Sequence, residues 1–160
     1  YVLGKNQSKL RLRIAIILRL HLPYFIQCLD SPQIQGLRKN MLYLAAALIA
    51  LLGIAHSVLG ERYILTRLFK RDNLPQLLGG TAFTIQTLRF AWHITTVAWF
   101  GIACLLLLLA ENKLTPNSTL LTIAWTSLIS GLLPLISTKG KHLSWIFFFA
   151  VSLILFWTAA

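Results

Sequence analysis

Three histidines, His56, His93 and His142, stand within or at the edges of long apolar runs. Arg89 precedes His93 by four residues, and Ser57 and Glu61 follow closely on His56. Polar and ionisable side chains are costly inside a bilayer, so where they occur they are the first candidates for function. Neutral imidazoles from facing helices can ligate a haem iron, and His56 with His93 would be the cofactor-binding pair for a haem b. His56, His93 and His142 together, with Glu61 nearby, offer a donor set for a divalent metal such as zinc or iron. Arg89, with Arg62, Lys70 and Arg71 of the loop before it, suits an anion instead, above all a lipid headgroup at the membrane surface. Ser57 and Glu61 have the role of supporting hydrogen-bond partners.

Each of these residues has a plainer reading. His56 and Ser57 can hydrogen-bond a neighbouring helix. Arg89 can reach lipid phosphates with its long stem. His142 follows Lys139 and Lys141 and belongs to a basic loop. Glu61 can pair with Arg62 or Arg89. No tight ligand motif selects among the chemistries: the sequence holds no HxxxH, HExxH, GxSxG, P-loop or EF-type loop. With 4 acids in 160 residues, a two-carboxylate mechanism is nearly excluded.

The elements that must position these residues are membrane spans. Hydrophobic residues make up 57% of the chain and charged residues 12%, and the mean hydropathy is +0.72. That is too little charge to cover a water-soluble domain, in which about a quarter of residues are charged. The expected fold is an all-α integral membrane protein with four transmembrane helices forming a small bundle, at about 42–60, 90–110, 118–136 and 142–160. The second helical run reads from Thr81 to Glu111, with 81–89 as the polar lead-in to its span, and 61–80 reads as a loop in which 61–71 suits a short surface helix. Ala46, Ala50, Gly53 and Ser57 form a small-residue stripe on the first span, and His93, Val97 and Gly101 a second stripe on the next. The two stripes are expected to meet, with the imidazoles of His56 and His93 facing one another.

The net charge is +11, from 15 Lys and Arg against the acids. Nucleic acid is not the expected partner, because the basic residues sit between apolar runs. Arg62, Arg67, Lys70, Arg71, Lys139 and Lys141 lie in the loops on one side, and Lys113 in the loop on the other. With translation starting at Met41, this bias places the first set in the cytoplasm and both ends of the four-span unit outside, whereas a native 1–40 weakens it through Arg38 and Lys39.

Residues 1–40 differ from the rest. Lys5, Lys9, Arg11, Arg13, Arg19, Arg38 and Lys39 crowd there, and the only methionine is Met41. The expectation is a basic N-terminal segment of upstream sequence, with 41–160 as the four-helix domain. A basic amphipathic surface helix is the alternative, and a fifth span over 10–29 is disfavoured by Arg19 and Pro23. Cys28 and Cys104 have no CxxC spacing and read as unpaired thiols.

These features lead to a small polytopic membrane protein, expected in a bacterial inner membrane. Its role is accessory or structural, with a polar His/Arg/Glu site near the cytoplasmic face. Lipids and other membrane subunits or a second copy are the expected partners. The alternatives are a haem- or metal-binding redox component and a membrane enzyme acting on a lipid or lipophilic substrate.

Overall fold

The structure is a computed structural model that describes residues 32–77 and 80–160. The chain divides into two compact units, 1–41 and 42–160. Of the first unit the described part, 32–41, is helical. The expectations for residues 1–31, including Cys28 and a span over 10–29, lie outside the described residues.

The described residues are helical apart from short connections. Helix α1 runs Pro32–Leu59 and passes through a π-helical segment, Gly60–Leu65, into the short α2, Thr66–Leu68. Helix α3 is Thr81–Ala110, α4 is Pro116–Ser137 and α5 is Ser144–Ala159. Three runs, Pro32–Leu68, Thr81–Ala110 and Pro116–Ser137, are long and apolar enough to cross a membrane. The 16 residues of α5 give it a length of about 24 Å, short of the roughly 30 Å of hydrocarbon.

Two helical segments extend the spans beyond their apolar limits. The segment after Gly60 is helical to Leu68, in keeping with the short surface helix read there, and it continues α1 without a break. Its pattern is amphipathic, with Leu65 buried and Arg62, Tyr63 and Arg67 exposed. Residues 81–89 are the first turns of α3, as the helical run read from Thr81 implies, and they are partly buried: Thr84 is inward, with its hydroxyl donating to the Pro75 carbonyl at 2.7 Å, and Phe90 is buried just beyond.

The helix ends follow known chemistry. α3 stops at Asn112, which takes a left-handed φ of 55° while Lys113 N–H bonds back to the Leu108 carbonyl. α4 begins with a capping box between Thr115 and Ser118 and has Pro116 in its first turn. α4 packs closely on its neighbours. A Cβ on Gly101 of α3 would lie 2.6 Å from the Thr126 hydroxyl, and one on Gly131 would lie 2.7 Å from the Phe149 ring. The Ser152 hydroxyl of α5 donates to the Ala124 carbonyl of α4 at 3.0 Å. The core is therefore made of small residues, as membrane helix contacts require, with Ala46, Ala103, Ala110 and Ala124 buried and many leucines and isoleucines left facing outward.

Candidate functional site

The seam between α1 and α3 holds the polar residues. At its centre Gly53 lies against Thr96 and Phe100, near enough for the Thr96 hydroxyl to reach the Gly53 carbonyl at 3.4 Å and Ser57 Oγ at 3.2 Å. Ser57 Oγ is in turn 2.6 Å from His93 Nδ1. His93 Nε2 is 3.6 Å from Glu61 Oε2. The other partner of Glu61 is Arg89, whose Nη2 lies 2.8 Å from Oε1 and whose Nε donates to Oε2 at 3.2 Å. This two-pronged geometry is the one in which guanidinium and carboxylate match best. The result is a chain of polar contacts along the seam, through Arg89, Glu61, His93, Ser57 and Thr96 to the backbone of α1.

The π-helical turn is what brings Glu61 into this chain. Gly60 is buried at its start, and a Cβ there would stand 2.1 Å from the indole nitrogen of Trp92. A side chain at this position would hold the two helices apart. With none, Trp92 seats against α1 and donates its indole N–H to the His56 carbonyl at 3.0 Å. π turns release backbone groups and occur often at functional positions.

His56 lies on the other flank of the seam. Its ring stacks on Trp92 at 4.3 Å between centroids with 3° between planes, and meets Trp99 edge-on at 5.0 Å. Its Nε2 is 2.9 Å from the Thr95 hydroxyl. His56 and His93 thus share the α1–α3 seam and take different partners in it.

His142 is placed elsewhere. It packs edge-on against Phe90 at 4.9 Å and over Phe83 at 5.9 Å, and its Nδ1 is 2.9 Å from Ser144 Oγ. Among the described residues no three His, Cys, Asp or Glu side chains gather as a metal-ligating group, so the set His56, His93 and His142 is not brought together. The cationic residues of the loop have separate positions. Arg62 lies over the ring of its neighbour Tyr63, and Lys70 and Arg71 are exposed. Arg89, expected as a headgroup ligand, is paired with Glu61 and also lies over Phe69 at 5.2 Å.

Trp92, Thr95, Thr96, Trp99 and Gly60 were not among the candidates read from the sequence. Thr95 and Thr96 carried a signal, two adjacent hydroxyls inside an apolar run. Gly101 belonged to the expected α3 stripe, yet it turns to Thr126 of α4, so that stripe is divided between two neighbours. At the far end of the same helices Tyr43 hydrogen-bonds Glu111, which sets the antiparallel register of α1 and α3 from the opposite side.

No protein family model, no curated protein and no solved structure matches this chain.

Proposed function

We propose that the protein is an all-α integral membrane protein of four spans, with α5 as the short fourth, and that its role is accessory or structural. Its polar site at the cytoplasmic face of a bacterial inner membrane is a lock between α1 and α3. One observation carries this reading. Both oxygens of Glu61 meet the Arg89 guanidinium and His93 Nδ1 meets the Ser57 hydroxyl, while His93 Nε2 stands 3.6 Å from the carboxylate. A ligand site would keep such atoms open toward a cavity, whereas a structural site consumes them. The fourth span is supported by the contacts of α5 with α4, through Ser152 to Ala124 and Trp125 to Phe156, and by Trp145 and Trp157 near its two ends. Membrane lipids, and a further membrane subunit or second copy of the chain, are the partners on this reading.

The test is the visible spectrum and metal content of the purified protein, together with its unfolding temperature. The expected result is no haem band, no stoichiometric metal, and a lower unfolding temperature for Glu61→Gln. A haem band or bound metal that disappears in His56→Leu and in His93→Leu would replace this reading with that of a redox component.

A further inference from the structure

A second polar feature lies at the same end of the molecule and shares no residue with the α1–α3 seam. A cavity of about 320 Å³ opens between the first turns of α3 and the connection from α4 to α5. Gln86, Lys139 and Lys141 supply its polar lining, and Leu77, Ala82 and Phe83 its apolar wall. Among the described residues no carboxylate lines it. Among the described residues neither lysine forms a salt bridge.

The connection is held rigidly. Thr138 is 1% exposed; its hydroxyl donates to the Pro134 carbonyl at 2.6 Å and accepts from the His142 N–H at 3.0 Å. The rings of Phe83 and Phe90 hold His142 against α3. On the opposite wall Leu77 and Gly80 exchange backbone hydrogen bonds at 3.1 and 3.3 Å.

Lys139 has an unusual backbone. Gly140 N–H bonds to the Leu135 carbonyl, so Lys139 is the left-handed residue that ends α4, with φ of 52°. Glycine, or asparagine as at Asn112 on α3, is the usual occupant of that position, because a Cβ is strained there. Here the glycine comes one residue later, and the strained position holds a cation at the cavity. Strain of this kind persists where the surroundings hold it, as Thr138 and His142 do.

The geometry points to this cavity as a binding site for a phosphate-bearing anion with an apolar neighbour group, either the headgroup of an anionic phospholipid or a soluble phosphate ester. Two unpaired ammonium groups would meet the phosphate, the Gln86 amide would donate to an ester or hydroxyl oxygen, and the wall of Leu77, Ala82 and Phe83 would cover the first carbons beyond it. Lysine serves phosphate as a point charge without the planar fork of arginine. The site is independent of the Glu61 lock, and its failure would leave that reading standing.

The test uses the full chain in phosphatidylcholine nanodiscs, with phosphatidylglycerol added in one arm and sn-glycerol 3-phosphate in the other. Binding is read as the rise in unfolding temperature with probe concentration. Lys139→Gln and Lys141→Gln should each weaken binding about fivefold, the effect of one lysine beside an anionic headgroup. Lys70→Gln, on the same face, and Lys113→Gln, at the other end, should change it little. Lys139→Gly should raise the unfolding temperature without probe and weaken binding, since it relieves the backbone and removes the charge. Stabilisation by phosphatidylglycerol alone identifies a lipid headgroup, and stabilisation by glycerol 3-phosphate identifies a soluble ester. No stabilisation by either probe would overturn the proposal. So would Lys139→Gln and Lys141→Gln variants that bind like the parent, or a loss in Lys70→Gln as large as theirs.

Discussion

Glu61 and His93 are polar groups that a span tolerates only with partners, and the structure gives Glu61 the Arg89 guanidinium and His93 the Ser57 hydroxyl, with the imidazole 3.6 Å from the carboxylate. That both would need partners was legible in the sequence, because an imidazole inside an apolar run and a carboxylate at the end of one stand out at once. Gly60 and Trp92 were not legible. A glycine at the end of a span and a tryptophan near a membrane face are both ordinary, and nothing in their spacing says that one is the socket for the other. The structure makes that pairing a sharp expectation. Gly60→Ala places a methyl group on the Trp92 indole and should destabilise the protein by about 1–3 kcal/mol, the range for forced overpacking. Trp92→Phe removes the bond to the His56 carbonyl and should cost about 0.5–1.5 kcal/mol. Denaturant titration in micelles measures both. A Gly60→Ala protein as stable as the parent would mean that the helices do not approach as described.

At the scale of the element, the apolar runs read from the sequence mark the helices, and the helices extend beyond them. The charged pair Glu61 and Arg62 ends the apolar run, but the amphipathic pattern that follows keeps the chain helical to Leu68, with Leu65 inward. Likewise α3 starts at Thr81, where Phe83 and Phe90 pack on His142. Hydropathy identifies what crosses a membrane and is silent on helix that projects from it. It is also silent on which neighbour a small-residue stripe faces, and so the meeting of Gly101 with Thr126 was not foreseen. The seam itself can be probed directly. Ser57 Oγ and Thr96 Oγ1 are 3.2 Å apart. In a background lacking Cys28 and Cys104, Ser57→Cys with Thr96→Cys should crosslink readily in membranes. The outward-facing pair Leu52→Cys with Ala98→Cys should not. Equal crosslinking of the two pairs would contradict the assigned faces of α1 and α3.

For the whole molecule, the cavity lining joins the loop before α3 to the loop after α4, so Arg62, Arg67, Lys70, Arg71, Lys139 and Lys141 gather at one end, opposite the Tyr43–Glu111 contact. The charge pattern alone suggested this grouping, because alternate loops of a helical membrane protein share a side. On the four-span reading, reporters fused after Arg71 and after Ala160 should report opposite sides, the first cytoplasmic. A cytoplasmic signal at both sites would show that α5 does not cross. The central claim is that Glu61 locks α1 to α3, and it concerns the stability of the entire bundle. The most direct measurement is a double-mutant cycle on global unfolding, with Glu61→Gln, Arg89→Gln and both together. Each single change should destabilise the protein, and the double change should be less damaging than their sum. The pair is partly exposed, with side chains 35% and 47% accessible, so the coupling should be about 0.5–1 kcal/mol. Strictly additive effects, or a Glu61→Gln protein more stable than the parent, would contradict the lock.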